Sequence, residues 1–282
     1  MRNTSRLIRG FFMYLFLFVM VLISVFPVLY ILLASFKTNL EIMVGGTNLF
    51  PKVWQISNYI EAWKQADFSL YTFNSIYMCF FVVVGCIITA TVEGYIFSRG
   101  TTLFSKFAYK MVTVSMFISL GALALYPQLG LAKIFGLNGT LWGPIIINVF
   151  GLNVTQVLLS TTYLKQIPME IDEAAKIDGC SFFRTFVSII FPLIKPLIGT
   201  IGLVAFRIAW SDYLLPYVFT ISAPEKMTLV VGIVMLKNGG ATASAMNLMM
   251  AGISISLIPM LIVYFILNKF FVAGITEGAI KG

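Results

Sequence analysis

Five stretches of this sequence contain no Asp, Glu, Lys or Arg: residues 10–36, 68–92, 111–132, 134–164 and 238–268. A hydrocarbon layer about 30 Å thick takes roughly 20 apolar helical residues per crossing, so each run is long enough to span one. A sixth run, at about 196–220, is broken only by Arg207 and Asp212. A bilayer tolerates such charges where the side chains face protein or a cavity. Charged residues make up 11% of the 282, against about 25% in an ordinary soluble domain. Water is therefore not the main solvent. The reading is an all-α membrane protein with six transmembrane helices, a single transmembrane domain over 1–282. Its spans are expected near 11–36, 70–97, 108–131, 140–163, 193–220 and 248–270, with a charged loop at 165–191.

The first run is too long for a secretory signal core and lacks a small-residue cleavage site, so it is expected to stay as the first span. The net charge of +8 sorts by loop rather than marking a nucleic-acid surface. With the N-terminus inside and six spans, the inner segments carry about twice as many Lys and Arg residues as the outer ones, which places both termini in the cytoplasm. Cys79, Cys86 and Cys180 have no metal-ligand spacing, and the chain has no histidine to complete a zinc site. The expected outer segment from Lys37 to Asp67 is the longest, aromatic-rich between Trp54 and Trp63, yet too short for a receptor domain.

The loop at 165–191 is the one inner segment both charged and strongly punctuated. Pro168 suits a helix start, and Glu170, Asp172 and Glu173 follow where carboxylates favour the positive end of the helix dipole. Asp172 and Lys176 have the spacing of an i,i+4 pair. Gly179 is a natural left-handed stop, and Ser181 can cap a second helix over 182–190. The local chemistry predicts helix, sharp turn, helix.

A phosphate-cradling G-x-x-x-x-G-K-[ST] loop, an H-E-x-x-H helix and any histidine-dependent triad are all absent from the sequence. Glu173-Ala174-Ala175, then Asp178-Gly179, then Phe191-Pro192 resembles the EAA loop of binding-protein-dependent ABC permeases. Asn74-Ser75, Ile177-Asp178-Gly179, the run from Trp210 to Pro216 and the ending from Gly274 to Gly282 are similar to the maltose-permease-like subgroup of the carbohydrate branch. Cys180 stands where that family usually has Ala, a small-for-small change.

The resemblance implies a type I ABC importer permease fold with a cytoplasmic EAA coupling helix, in the bacterial or archaeal cytoplasmic membrane. It also implies a second homologous permease subunit, two cytoplasmic ATPase subunits that hold ATP and Mg, an external solute-binding protein and a sugar or oligosaccharide cargo. This chain would bind no cofactor and catalyse nothing. Glu173, Ala174, Ala175, Asp178 and Gly179 would form the contact with the ATPase. From the residues alone, Ala174 and Ala175 permit close backbone approach and Glu173 can pair with a cation. The same loop could also be a well-capped connection with Glu173 solvated. A secondary transporter driven by an ion gradient, using Glu93, Arg207 and Asp212, is the alternative function.

In the fifth expected span, Arg207, Trp210, Asp212, Tyr213 and Tyr217 offer aromatic faces, hydroxyls and charge to a sugar path. At about 100° per helical residue, Arg207 and Asp212 are roughly 140° apart and are poor partners for each other. Either they line the path or they make polar contacts between helices. A guanidinium suits a carboxylate, which points to an acidic oligosaccharide. Glu93 reads as a helix contact, and Met246, Met249 and Met250 as packing.

Overall fold

The computed structural model describes residues 2–45, 48–118, 120–151, 153–236 and 245–279, and no strand occurs among them. Fifteen α-helices follow one another: α1 (Arg2–Ala34), α2 (Asn39–Met43), α3 (Ser57–Gln65), α4 (Phe68–Arg99), α5 (Leu103–Ser115), α6 (Leu125–Ile134), α7 (Trp142–Phe150), α8 (Val154–Leu164), α9 (Glu170–Ile177), α10 (Phe182–Thr185), α11 (Phe191–Leu193), α12 (Lys195–Ser211), α13 (Leu214–Thr220), α14 (Leu229–Leu236) and α15 (Met246–Ala279). Among the described residues three helices are long and apolar enough to cross a membrane: Arg9–Ala34, Phe68–Arg99 and Met246–Asn268. They coincide with the first, second and last expected spans.

The other three expected spans are not single helices. The fourth is the pair α7 and α8, bent by 43° at the break between them. The third is divided into α5 and α6 around Gly121, which takes φ +51 and opens a 3-10 turn over Gly121–Ala124. The fifth stops at Ser211, where Asp212 turns extended (ψ 122). The Asp212 carboxylate then accepts the Leu215 N–H at 3.3 Å at the start of α13. A further bend, of 82°, separates Phe182–Leu193 from Lys195–Ser211. Hydrophobic length says how much lipid a run can cross. Glycines and side-chain acceptors that compete for the backbone decide whether the helix continues.

The chain divides into two compact units, residues 1–68 with 232–258, and residues 69–231 with 259–282. In the first, the segment after α1 is tied down by Asn58, 4% exposed. Its Nδ2 donates to the carbonyls of Ser35 (2.8 Å) and Lys37 (2.9 Å), and its Oδ1 accepts from Asn247 of α15 at 2.8 Å. Thr38 caps α2 with a complete capping box to Glu41. Backbone N–H groups of Thr38 and Lys52 donate to Glu41 and hold its carboxyl below the usual range. The Phe36 ring packs on Trp54 and Tyr59. The aromatic-rich segment is thus a folded element anchored to the chain just after α1 and to α15.

In the second unit, α4 meets α7 and α8 through bare backbone. A Cβ on Gly85 would lie 2.4 Å from Val149 Cγ2, and one on Gly94 would lie 2.4 Å from Ser160 Cβ. Lipid tails are as apolar as leucine, so such close packing of small residues is what holds membrane helices together. Asn74 and Ser75 join α4 to the segment before α14: Asn74 Nδ2 donates to the carbonyls of Glu225 and Met227, and Ser75 Oγ accepts the Leu229 N–H at 2.8 Å. A buried cluster of Ala90, Tyr95, Leu164, Phe186, Ile190, Ile194, Leu197 and Ile201 seats the segment from α10 to α12 against α4 and α8.

Candidate functional site

The loop between α8 and α12 folds as helix, turn, helix. Glu170, Asp172 and Glu173 occupy the first turn of α9 and Lys176 the last, matching the helix dipole at both ends. Asp178 caps the helix, its N–H donating to Ala174 O at 3.0 Å. Gly179 takes φ +79 and donates to Lys176 O at 3.1 Å, while Cys180 N–H donates back to Ala175 O at 2.9 Å. That pairing is a Schellman closure, and a side chain at Gly179 would be strained. Ser181 Oγ accepts the Arg184 N–H at 3.3 Å and so caps α10, which continues through a π-helical turn, Phe186–Ile190, into α11.

The candidate coupling residues divide by exposure. Ala175 is buried, whereas Glu173, Ala174, Asp178 and Gly179 are exposed. Beside them Ile177 is 87% and Phe183 72% exposed, a pair of large apolar side chains left uncovered by the described residues. The face that carries Glu173 and Ala174 is exposed, and Ala175 faces in.

Asp172 does not form an ion pair with Lys176. Its carboxylate turns to the end of α4, where Oδ1 accepts the Tyr95 hydroxyl at 2.5 Å and Oδ2 takes Arg99 Nε at 3.0 Å and Nη2 at 2.9 Å. Arg99 also donates to Leu164 O and Ile167 O, both at 3.1 Å. The Tyr95 ring lies between Phe182 (4.7 Å) and Phe186 (5.1 Å). An open cavity of about 470 Å³ lies beside this network, lined by Met169, Lys176, Cys180 and Ser181 among others. In the sequence Arg99 is one of the inner-segment cations, and nothing singles out Tyr95 by itself. Their i,i+4 spacing at the polar end of an apolar run was the available signal.

Along α12 and α13 the expected path residues take different places. Arg207 is exposed, and among the described residues no carboxylate lies within ion-pair distance of its guanidinium. Trp210 is buried and stacks on Phe206, with centroids 5.5 Å apart. Asp212 is half-buried and serves as a local cap, while Tyr213 and Tyr217 stack at 5.3 Å. Arg207 and Asp212 do not meet. Glu93 is exposed and takes part in neither group.

Helices long and apolar enough to cross a membrane, joined by a closed helix-turn-helix with an exposed face, are by class those of a helical membrane protein. The comparisons make the assignment specific. The chain is 32% identical over 283 residues to the galactooligosaccharides transport system permease protein GanQ of Bacillus subtilis (strain 168), covering 99% of this chain and 98% of that one. It is 30% identical over 271 residues to a putative ABC transporter permease protein, ORF2, of Caldicellulosiruptor sp. (strain Rt8B.4), covering 95% and 96%. The probable starch degradation products transport system permease protein AmyC of Thermoanaerobacterium thermosulfurigenes is 31% identical over 265 residues, covering 93% and 94%. No family model matches. A chain from the crystal structure of a bacterial ABC transporter involved in the import of the acidic polysaccharide alginate superposes with a TM-score of 0.78 at 24% identity, covering 95% of this chain and 98% of that one, and shares its fold. The protein belongs to the ABC transporter permeases of the carbohydrate branch. It is a non-catalytic subunit of an integral membrane system whose ATPase is a separate chain.

Proposed function

We propose that this chain forms half of the translocation path of an ATP-driven sugar or oligosaccharide importer and couples that path to ATP hydrolysis through the loop from α9 to α11. In this reading six segments cross the membrane, the three divided runs α5–α6, α7–α8 and α12–α13 each counting as one crossing, and both termini are cytoplasmic. A second, homologous permease completes the path, two ATPase subunits close on the loops of both permeases, and an external binding protein delivers the cargo. Glu173, Ala174, Asp178 and Gly179 form the ATPase contact, with Ala175 packing the helix against its own chain. The observation that carries this reading is the open face of α9, with Glu173, Ala174 and Ile177 exposed on a helix whose other side is buried and bonded. Alternating access then amounts to ATP-dependent stabilisation of one of two arrangements of the spans.

Relatives that transport galactooligosaccharides, maltodextrin and starch degradation products support an oligosaccharide as cargo. Arg207, without an acidic partner among the described residues, and the Tyr213–Tyr217 stack further along the chain support an acidic one: a guanidinium holds a carboxylate through two parallel bonds, and aromatic faces suit sugar rings.

The test is recovery from native membrane. Purified in detergent, the wild-type chain is expected to bring a second permease and an ATPase subunit, identified by mass. Glu173→Lys and Gly179→Val should insert normally yet recover at least about tenfold less ATPase, the scale of one lost charged contact of about 1.4 kcal/mol. Recovery of the wild-type chain alone, or unchanged ATPase recovery in both variants, would overturn the assignment of the loop.

A further inference from the structure

The side chain of Arg99 is 8% exposed and that of Asp172 18%. Arg99 reaches three acceptors on three successive pieces of chain: Leu164 in the last turn of α8, Ile167 in the connection, and Asp172 in the first turn of α9. Asp172 is in turn held at both oxygens by α4, through Tyr95 and Arg99. The connection from Lys165 to Met169 is closed locally by turn bonds, among them Gln166 N–H to Tyr163 O (3.0 Å) and Ile167 N–H to Leu164 O (3.2 Å), and Ile167 packs on the buried cluster. Among these contacts, those of Arg99 tie α8, the connection and α9 to α4 through one side chain. A planar guanidinium can meet a carboxylate and two carbonyls at once. An ammonium at the same place is a point charge without the fork.

We propose that Arg99 is a positioning residue that makes α9 and the end of α4 move as one body, so that force applied to the loop reaches α4 and is not absorbed in the 165–169 turn. This rests on the reading of the loop as the ATPase contact. Asp172 is the receiving half of the joint. Tyr95 fixes the second carboxylate oxygen and, wedged between Phe182 and Phe186, extends the joint to the helix after the turn.

The experiment uses the whole transporter, purified with its ATPase. Spin labels are placed on Ile96→Cys in α4 and Glu170→Cys in α9, in a chain carrying Cys180→Ala. The distance between them is compared without nucleotide and with ATP plus vanadate, alongside ATP hydrolysis per assembled complex. In the otherwise wild-type chain the distance should be the same in both states. In Arg99→Lys and in Asp172→Asn it should shift by about 2 Å or more on trapping, the scale on which packed helices slide, while hydrolysis continues. The double variant should shift no further than the larger single, as expected of two halves of one joint. Tyr95→Phe, which keeps the rings and the ion pair, should shift in the same direction by less. If Arg99→Lys fails to assemble, Asp172→Asn, which keeps shape and the Tyr95 bond, is the deciding variant. A distance that changes in the wild-type chain overturns the proposal. So does a distance that stays constant in the assembled variants, whether or not the amount of complex falls. Failure to recover any ATPase with the wild-type chain instead defeats the reading of the loop, and is visible before any distance is measured.

Discussion

At the scale of single residues, position in the fold separates roles that residue type leaves open. Arg207 and Arg99 are both arginines near the ends of apolar runs, yet one is exposed without an acidic partner among the described residues and the other is fully engaged. An unpaired guanidinium in a membrane segment is costly unless it meets water, an acceptor or an anion. If its partner is cargo, Arg207→Met should reduce uptake of an acidic oligosaccharide far more than uptake of the carboxyl-reduced form, normalised to assembled complex. The loss should be about tenfold or more, on the order of one charge-assisted hydrogen bond. Equal loss for both sugars would remove the acidic-cargo reading and leave the sugar importer standing. Asp212, by contrast, already has local work, since its carboxylate caps α13.

At the scale of elements, the helices are legible in the sequence and their breaks are not. The runs at 10–36 and 68–92, and the part from Met246 to Asn268 of the last run, match long helices because nothing in them competes with the helical backbone strongly enough to end it. The breaks at Gly121 and Gly151 fall inside equally apolar runs, where hydropathy has no resolution, and the break at Asp212 falls at a charge that hydropathy reads only as an interruption. The turn at Gly179 was legible because its signals are local: a glycine after a dipole-matched helix and a serine two residues on. Contacts between helices depend on glycines whose purpose only a neighbour reveals. Gly94→Ala would put a methyl group 2.4 Å from Ser160 Cβ and 3.0 Å from the Ser160 carbonyl carbon, so backbone must move. Gly202→Ala meets only ordinary contacts, at 3.6 Å and beyond. Thermal denaturation of the purified complex should show Gly94→Ala destabilised by about 1–3 kcal/mol and Gly202→Ala close to wild type. The opposite order would show that α4 and α8 are not packed through this glycine.

At the scale of the whole molecule, three expected spans pass through helix breaks, two of them between residues 44 and 181. Residues 44 and 181 are separated by the second, third and fourth spans, an odd number of crossings, so they should lie on opposite sides of the membrane. In a chain with Cys79, Cys86 and Cys180 replaced by Ala, Val44→Cys should react with an impermeant maleimide added to protoplasts and Ser181→Cys should not. The reverse pattern would invert the orientation. Reaction at both sites would mean that one divided run fails to cross. The sequence by itself determined the solvent, the helical class, the three long apolar helices, the punctuation of the loop from α9 to α11 and, through its motifs, the family. All of these follow from the types of residues close together in the chain. Only the tertiary structure decided which charges are paired and which are left open. Asp172 forgoes Lys176 four residues away for Arg99 and Tyr95, more than seventy positions earlier, because folding brings the end of α4 under the first turn of α9. A partly buried carboxylate is stabilised more by a guanidinium fork and a hydroxyl than by one exposed ammonium on its own helix.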